Sequence, residues 1–470
     1  MSINKMNITV VSDEHIQILN GIVGENYVLW DEENRYSYSH DETEDLRFLP
    51  DVVVKPGTPE EISKILIFAN EHKIPVTPRG AGTGLSGGAL PVNKGILLSM
   101  ERFNKILDID ERNFQATVES GVITQLFQEK VLEKGLFYPP DPSSRGSCFL
   151  GGNLAESSGG PRAVKYGVTR DYVLNLEVVL PTGEIIWTGA NVLKNATGYN
   201  LTQLMIGSEG TLGIITKIVF RLIPAPGKDI VMLVPFHSSE EACEAVNAIL
   251  HSGVRPSALE FMERDAINWS AKYLNVEVNL PENVQAHLLI EVDGNDMKLL
   301  QKEAEIIYEV VSRYKIEEPL FADSADQKTE LWKLRRNVGH AVKANSIYKE
   351  EDTVVPRAEL PKLIKAVKQI GSNYGFQSVC YGHAGDGNLH INIIKGGLSE
   401  EEWNRNVTEG IKELFNYTVS LGGTISGEHG IGYVQRPYIH LALGEKQIEL
   451  MRGIKKLFDP NGILNPNKIF

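Results

Sequence analysis

One stretch of eleven residues, Pro78-Arg-Gly-Ala-Gly-Thr-Gly-Leu-Ser-Gly-Gly88, limits what this chain can fold into more than any other. Five of the eleven residues are glycine, and the stretch follows a strand-like apolar run at residues 74–77. Glycine permits positive φ and lets backbone N–H groups come close to a ligand, and successive N–H groups in such a turn form a concavity that suits phosphate oxygens. Arg79 adds a fixed positive charge. We interpret residues 78–88, the cradle loop, as a pyrophosphate site; the alternative is a plain glycine-rich turn.

The cradle loop also contains the letters of a dinucleotide-binding fingerprint. Gly82-Thr-Gly84-Leu-Ser-Gly87 matches G-x-G-x-x-G, which in a Rossmann domain opens a helix. Here the chain continues through loop-like residues 89–95 into a strand-like run at 96–99. The sequence therefore predicts that these residues do not form a Rossmann NAD domain.

The residues before the cradle loop predict one βαβ unit. Residues 51–55 are typical of a buried strand, and Thr58, Pro59 and Glu61 have the spacing of a helix N-cap, first position and capping-box glutamate. Apolar residues then recur at helical spacing up to the strand at 74–77. The cradle loop is thus expected to leave the second strand of this unit.

A second unusual segment covers residues 138–160 and is rich in proline, glycine and serine. It is too long for a simple connection, and long loops inside compact domains are usually functional. A disordered linker is the alternative, but a strand-like run resumes at residues 173–180. We predict a loop that wraps a ligand, within a first domain that closes after the strand at 214–222.

Length, charge and cysteine content bound the remaining possibilities. A chain of 470 residues is expected to hold two or three domains, and a net charge of −14 argues against nucleic acid or an anionic membrane as the main partner. The three cysteines form no C-x-x-C pair, which fits a reducing cytosol and excludes a cysteine-ligated iron–sulfur cluster within this chain. The first residues lead into no apolar run, so no signal peptide is expected. We predict a cytoplasmic protein and leave peripheral contact with the inner face of the membrane open.

The second half of the chain predicts the order β-α-β-β-α-β twice, which indicates two ferredoxin-like halves. The first half is expected from strands near 229–235, 257–262, 287–293 and 319–321, with helices after Ser238 and at 296–314. After a helix at 325–343, the second half is expected from strands near 353–355, 377–382, 389–394 and 423–425, with helices at 359–373 and 400–420.

Two histidines flank a Gly-Asp-Gly turn in Gly382-His383-Ala-Gly-Asp-Gly-Asn-Leu-His390. If the flanking runs pair as a hairpin, His383 and His390 lie opposite each other, at a Cβ separation of about 5 Å that suits one shared metal. Glu428, in Ser426-Gly-Glu-His-Gly430, offers a third ligand. Two histidines and one carboxylate leave coordination positions open for a substrate. The alternative is that these histidines only cap strand ends.

Six motifs occur in order: the cradle loop, Gly151-Gly-Asn153, Ile206-Gly-Ser-Glu-Gly-Thr-Leu-Gly213, the 383–390 motif, Gly427-Glu-His-Gly-Ile-Gly432 and Ile463-Leu-Asn-Pro466. With them the chain resembles, over nearly its full length, the FAD-linked D-2-hydroxyacid dehydrogenase family of the vanillyl-alcohol-oxidase/PCMH flavoprotein superfamily. That family includes D-lactate dehydrogenase, the glycolate oxidase catalytic subunit and D-2-hydroxyglutarate dehydrogenase. The resemblance implies an α+β fold with a PCMH-type FAD-binding domain and an α+β cap, or substrate, domain of ferredoxin-like halves. The implied boundaries are an N-terminal helical segment (1–47), the FAD-binding domain (48–226), the cap domain (227–424) and a C-terminal segment that returns to the FAD domain (425–470).

The resemblance also implies the site residues. Non-covalent FAD is expected to bind at Pro78, Arg79, Gly80, Ala81, Gly82, Thr83, Gly84, Leu85, Gly87, Gly88, Pro140, Ser147, Gly151, Asn153, Gly159, Gly160, Tyr166, Gly167, Ile214 and Asn465. A divalent metal, zinc first with manganese or iron as alternatives, is expected at His383, His390 and Glu428. The implied catalytic residues are His429 as the base, Arg335 for the substrate carboxylate and Asn392 as a polar substrate contact. Gln435 departs from the family, where many relatives carry lysine.

The activity that the resemblance implies is oxidation of a small D-2-hydroxy acid to the 2-oxo acid, with metal-assisted proton removal by His429 and hydride transfer to flavin N5. D-lactate or glycolate is the expected substrate, and D-2-hydroxyglutarate is the alternative. The expected partners are an electron acceptor (an electron-transfer flavoprotein, a quinone or an iron–sulfur subunit) and a second copy in a homodimer. Two other classes stay open: a metal-dependent hydrolase in which the cradle loop is only a turn, and a non-catalytic flavoprotein or electron-transfer subunit.

Overall fold

The computed structural model describes residues 9–278, 280–322 and 324–470. They fold into two compact units. The first contains the described residues up to 158 together with 168–225 and 428–470, and the second contains 159–167 and 226–427. No helix in these described ranges is both long enough and apolar enough to cross a bilayer.

The helices are α1 (Asp13–Val23), α2 (Glu32–Tyr36), α3 (Pro59–His72), α4 (Thr124–Leu132), α5 (Leu150–Glu156), α6 (Ala163–Tyr166), α7 (Leu201–Met205), α8 (Ser239–His251), α9 (Arg264–Leu274), α10 (Met297–Val311), α11 (Ala325–Arg336), α12 (Val338–Asn345), α13 (Leu360–Tyr374), α14 (Glu400–Ser420), α15 (Ile439–Ala442) and α16 (Glu445–Phe458). The strands are β1 (Val28–Leu29), β2 (Val52–Val54), β3 (Val76–Arg79), β4 (Ile96–Ser99), β5 (Ile106–Asp110), β6 (Gln115–Glu119), β7 (Leu136–Phe137), β8 (Val173–Val179), β9 (Ile185–Trp187), β10 (Ile214–Arg221), β11 (Ile223–Pro224), β12 (Lys228–Phe236), β13 (Ala258–Glu263), β14 (Ala286–Gly294), β15 (Leu320–Ala322), β16 (Tyr348–Val354), β17 (Gln377–Gly382) and β18 (Asn388–Ile394).

The first unit contains the predicted βαβ unit. Helix α3 begins as expected, since the Thr58 side chain accepts a hydrogen bond from the Glu61 N–H and Pro59 occupies the first turn. Its buried apolar face packs in one core with β2, β3 and β4, which run parallel in a sheet of order β1-β2-β4-β3. A second, antiparallel sheet has the order β5-β6-β10-β8-β9. No helix intervenes between β3 and β4, which confirms that the cradle loop does not open a Rossmann helix.

The segment at 138–160 is not the continuous loop that we predicted, because residues 150–156 form α5. Of the two glycines in this helix, Gly151 is needed for close packing, whereas a Cβ on Gly152 would meet no atom within 4 Å. A Cβ on Gly151 would lie 2.6 Å from the Cβ of Ser120, while Leu150 and Leu154 on the same short helix are fully buried. Tertiary packing therefore overrides the low helix propensity of glycine here.

The second unit is built on one seven-stranded sheet of order β15-β12-β14-β13-β17-β18-β16. Strands β12 to β15 have the ferredoxin-like arrangement, strands β16 to β18 repeat it, and the two halves join where β13 pairs antiparallel with β17. The predicted halves are confirmed, with two local corrections. The expected helix at 325–343 is two helices separated at Asn337. The expected strand at 423–425 is a single bridge between Thr424 and Val354.

One face of this sheet positions the predicted chemistry. Side chains alternate between faces along a strand, so His390 and Asn392 of β18 point the same way. Buried residues of this face pack against α9, α11 and α12 in one apolar cluster that includes Met262, Leu331 and Trp332. The second unit thus presents polar side chains among apolar neighbours, where water cannot screen their charges.

Candidate active site

The cradle loop fits an anionic ligand. In the described part of the chain, the backbone N–H groups of residues 81–86 donate no hydrogen bond to a protein acceptor. Arg79 is only 8% exposed, and its Nη1 atom is buried with no partner among the described residues. Its guanidinium lies under Gly82, where φ is +72° and an added Cβ would be 2.1 Å from Nη2. A buried cation beside unpaired backbone donors suits a pyrophosphate group.

The far end of the cradle loop is held by the C-terminal residues of the same unit. Asn465 Nδ2 donates to the Gly88 carbonyl at 3.0 Å and to the Glu209 carbonyl at 2.8 Å. Lys468 Nζ donates to the carbonyls of Gly87 and Leu90 at 2.5 and 2.7 Å. The side-chain donor of Asn465, which we expected to reach the flavin, is therefore used to shape the loop.

Two of the other predicted cofactor residues of the first unit, Gly151 and Asn153, lie on α5. An added Cβ on Gly80 would be 3.8 Å from the Cα of Gly152, which places the start of the cradle loop beside this helix. Asn153 is buried and donates to Thr124 Oγ1 at 2.6 Å. Pro140 and Ile214 are buried, whereas Ser147 is exposed and donates to the Ser144 carbonyl. Flavin contact by these residues remains a prediction.

Four predicted cofactor residues belong to the second unit, namely Gly159, Gly160, Tyr166 and Gly167. Their segment is attached to the sheet by Tyr166, whose hydroxyl donates to Asp293 Oδ2 at 2.8 Å. Gly160 and Gly167 have φ of +139° and +83°, which L side chains rarely adopt.

The histidine pair lies at the β17–β18 hairpin of the second unit. The hairpin is confirmed, but the residue opposite His390 is Tyr381, not His383 as we predicted. Residues 384–386 form a 3-10 turn, so His383 sits just beyond the last paired position. It is nevertheless a diagonal neighbour of His390. The two rings are 5.4 Å apart at 84°, and their ligand nitrogens lie within 4.8 Å of one another.

A carboxylate that the sequence analysis missed joins two of the predicted residues. Glu260 on β13 is 0% exposed and accepts a hydrogen bond from His383 Nδ1 at 2.9 Å. Its Oε2 also lies 2.7 Å from Arg335 Nη2. Burial alone would raise the pKa of Glu260, but the charges of His383 and Arg335 outweigh burial and hold that pKa below its usual value. The signal that could have revealed it is a glutamate flanked on both sides by apolar residues inside a buried strand.

Arg335 and Asn392 both carry buried polar atoms that the protein does not satisfy. Arg335 is 3% exposed and lies 4.9 Å from the ring centre of Tyr381. Its Nη2 forms the short ion pair with Glu260, whereas its Nε makes no hydrogen bond among the described residues. Asn392 is 0% exposed, and its Oδ1 has no partner there either. Unpaired buried donors and acceptors indicate a polar ligand.

Acidic residues of β16 approach His390 and hold the chain that follows the sheet. Glu350 Oε1 and Asp352 Oδ1 lie 3.6 and 3.8 Å from His390 Nδ1. Asp352 Oδ2 accepts the backbone N–H of Gly427 at 2.8 Å. The next residue, Glu428, begins the C-terminal segment of the first unit. Its role as a metal ligand, like that of His429 as a base, remains a prediction.

Comparison with known proteins identifies the family. A profile described as "FAD linked oxidases, C-terminal domain" matches residues 225–469, and one described as "FAD binding domain" matches residues 50–189. The chain belongs to the FAD-linked oxidases. It is 40% identical to the glycolate oxidase subunit GlcD of Bacillus subtilis over 439 residues, covering 93% of this chain and 92% of that protein. It is 39% identical to a D-lactate dehydrogenase of Anaerostipes hadrus, covering 98% of each. It is 32% identical to the D-2-hydroxyglutarate dehydrogenase of Stutzerimonas stutzeri, covering 97% and 98%.

Solved structures confirm the fold of this FAD-linked oxidase. p-Cresol methylhydroxylase is 19% identical with a TM-score of 0.80, covering 97% of this chain and 96% of that one. 4-Ethylphenol oxidase from Gulosibacter chungangensis is 20% identical with a TM-score of 0.77, covering 98% of each chain. The predicted PCMH-type FAD-binding fold is therefore confirmed, and the FAD-linked oxidase is an oxidoreductase whose redox cofactor is FAD.

Proposed function

We propose that this FAD-linked oxidase oxidises a small D-2-hydroxy acid, D-lactate or glycolate first, to the corresponding 2-oxo acid. The observation that carries the proposal is the buried cluster of the second unit. There two histidines, an arginine and an asparagine converge on one sheet face, and the arginine and asparagine keep unsatisfied polar atoms. The names of the relatives, which include glycolate oxidase and D-lactate dehydrogenase, support this substrate class. D-2-hydroxyglutarate is the alternative.

The first unit is proposed as the FAD-binding domain and the second as the cap, or substrate, domain. The cradle loop would hold the pyrophosphate of a non-covalent FAD, since its N–H groups at 81–86 and Arg79 Nη1 are unpaired. When bound, FAD supplies the acceptor for a hydride and its two electrons. Reoxidation requires a separate electron acceptor, which we expect to be an electron-transfer flavoprotein, a quinone or an iron–sulfur subunit.

A divalent metal fits the histidine pair. Glu260 accepts from His383 Nδ1, which leaves the lone pair of this ring on Nε2, the arrangement common for metal-ligating histidines. We propose His383, His390 and Glu428 as ligands, because Gly427 is anchored to Asp352 one residue before Glu428. Two imidazoles and one carboxylate suit zinc, with manganese or iron as alternatives. When bound, the metal supplies Lewis acidity toward the substrate hydroxyl oxygen.

The protein side chains would bind the substrate and remove its hydroxyl proton. The Nε group of Arg335 would donate to the substrate carboxylate while Nη2 stays paired with Glu260, and the Asn392 amide would orient the substrate beside it. His429 would remove the hydroxyl proton, for which an imidazole has a suitable pKa. One proton thus goes to His429 and one hydride leaves the α-carbon, which turns the C–OH group into C=O.

The first test is the visible spectrum of the purified protein under anaerobic conditions, before and after D-lactate, glycolate and D-2-hydroxyglutarate in turn. We expect a yellow protein that one of the first two acids bleaches. Bleaching by D-2-hydroxyglutarate alone would select the alternative substrate. A yellow protein that none of the three bleaches would contradict the proposed activity and favour a non-catalytic flavoprotein.

A second test separates the base from the cofactor sites. His429→Ala should keep its yellow colour and its metal but lose flavin reduction by about a hundredfold or more. Bleaching of this variant at the wild-type rate would overturn the assignment of His429.

A further inference from the structure

A buried carboxylate of the first unit holds the turn that follows His429. Glu209 Oε1 accepts the backbone N–H of Ile431 at 2.8 Å, and Glu209 Oε2 accepts that of Gly432 at 2.6 Å. Each carboxylate oxygen thus receives one backbone donor. The turn begins one residue after His429, so its position is tied to this side chain.

Glu209 is itself held in a strained and fixed backbone conformation. Its φ is +51°, in the left-handed region that non-glycine residues seldom adopt. Its N–H donates to the Ala155 carbonyl, and its carbonyl accepts from Asn465 Nδ2. Hydrogen bonds at both its N–H and its carbonyl thus fix the backbone from which the Glu209 side chain projects. The residue is only 6% exposed.

The two glycines of the turn show how closely it packs against neighbouring residues of the first unit. Gly430 has φ of +78°, and a Cβ there would lie 2.0 Å from Glu156 Oε2 and 3.0 Å from Glu209 Oε1. Gly432 has φ of +52°, and a Cβ there would lie 2.2 Å from the carbonyl oxygen of Ser86 in the cradle loop. That carbonyl also accepts the N–H of Tyr433 at 2.8 Å. The turn is thus clamped between Glu209 and the end of the cradle loop.

The charge around Glu209 supports a role beyond packing. Burial raises the pKa of Glu209 to about 7, against the opposing effect of the two N–H donors. Burial and the nearby charge of Glu209 also raise the pKa of Glu156. Lys468 is the cation of the group, and burial lowers its pKa to about 8. An apolar side chain would avoid this desolvation cost, but it would leave the N–H groups of Ile431 and Gly432 without their acceptors.

We propose that Glu209 is a positioning residue for His429, which it acts on through the N–H groups of Ile431 and Gly432. The inference rests on the proposed function of His429 as the base. The Ser208-Glu209-Gly210 turn would thus contribute to proton removal, although the Glu209 side chain need not touch the substrate.

Glu209→Gln tests the proposal, because the amide keeps the shape but turns an NH2 group toward one of the two N–H donors. We expect the limiting rate of flavin reduction, measured by stopped flow per bound flavin, to fall by about ten- to hundredfold, since small displacements of a catalytic group have effects of this size. Amide hydrogen exchange in residues 428–434 should become faster. Glu177→Gln is the matched control, because Glu177 is also a buried carboxylate of the first unit and accepts from Thr216 Oγ1 at 2.9 Å.

A double-mutant cycle separates positioning from general loss of structure. If Glu209 acts through His429, Glu209→Gln should add less than about twofold to the loss in the His429→Ala background. The same loss in both backgrounds, or a single variant that reduces its flavin within twofold of wild type, would overturn the proposal. If Glu209→Gln does not fold, Glu209→Asp keeps the charge but is too short for both donors, and it is judged by the same criteria.

Failure of the proposed function gives a different pattern. If the single variant His429→Ala reduces its flavin at the wild-type rate, His429 is not the base. The hydrogen exchange of residues 428–434 then still decides whether Glu209 holds the turn. Unchanged exchange in Glu209→Gln would overturn that part independently of any activity.

Discussion

The cradle loop and the histidine cluster recognise their proposed ligands by opposite means. In the cradle loop the recognising groups would be backbone N–H donors at residues 81–86, which have no protein acceptor among the described residues, and the absence of glycine side chains leaves these donors open. In the histidine cluster the recognising groups would be side chains of β18, of α11 and of His383 just after β17, and the buried charge of Glu260 joins His383 to Arg335. A site made of backbone groups restricts which φ angles and side-chain sizes its residues can have. A site made of side chains restricts their charges and their hydrogen-bond partners.

The two kinds of site should therefore fail in different ways. Adding a methyl group is the decisive perturbation of the cradle loop, and changing a charge by one unit is the decisive perturbation of the cluster. The four predictions below are ordered by the size of the expected effect.

The largest effect is expected from His383→Ala. Losing one of two imidazoles should release the metal and lower the rate of flavin reduction by about a thousandfold, since the metal is expected to contribute several kcal/mol of transition-state stabilisation. Metal content by elemental analysis and flavin reduction by stopped flow check this, and FAD content should not change. His251→Ala, at an exposed position of α8, is the control. Metal retained in His383→Ala would contradict the assigned ligand.

The next effect concerns the sheet that carries the cluster. His287 on β14 is 2% exposed, its Nδ1 has no partner among the described residues, and burial together with the charge of Arg264 lowers its pKa to about 4. Because the folded-state pKa lies below the unfolded value of 6.5, this group stabilises the fold above pH 6.5. That stability is lost as the pH falls toward 4, by up to about 3 kcal/mol.

Chemical denaturation of wild type and His287→Leu between pH 8 and pH 4 measures this contribution. The variant should lose less stability than wild type over that interval, whatever its stability at pH 8. If the free energy of unfolding falls equally in the two proteins between pH 8 and pH 4, His287 does not titrate as its burial implies.

A smaller effect is expected from Glu260→Gln. The amide can still accept from His383, but its NH2 group faces Arg335 and its charge is gone, so metal affinity should fall by about ten- to hundredfold. Metal competition with a chromogenic chelator gives this number without reference to activity. Glu263→Gln is the matched control, since Glu263 is another buried carboxylate of β13 and binds Lys368 instead. Equal metal affinities in the two variants would remove Glu260 from the metal site.

The sequence predicted the backbone site better than the side-chain site. The cradle loop, α3 and the β17–β18 hairpin follow from patterns within a few residues, and the ferredoxin-like order follows from periodicity. Glu260 meets His383 across 123 positions of the chain, a contact that no local pattern encodes. The register of His383 was wrong because β17 ends at Gly382 and pairs so that Tyr381, not His383, lies opposite His390. Helix α5 was missed because close packing against Ser120, not helix propensity, selects glycine at position 151.

The smallest effect comes from the cradle loop, and it sharpens the contrast most directly. An added Cβ at Gly84 would meet no atom within 4 Å, and its φ lies outside the left-handed region. Gly84→Ala should therefore leave the thermal stability of the apoprotein unchanged or slightly raised. Its methyl group would nevertheless stand among the unpaired N–H donors, so the Kd for FAD should rise by about tenfold, which corresponds to the loss of one or two backbone hydrogen bonds.

Gly21→Ala, equally unobstructed but on α1, should change neither quantity. Gly210→Ala should lower stability, because its φ is +65° and its Cβ would meet Pro78 at 2.7 Å. An unchanged FAD affinity in Gly84→Ala would mean that the open side of the loop does not face the cofactor, and the cradle loop would then be a turn shaped for its own packing.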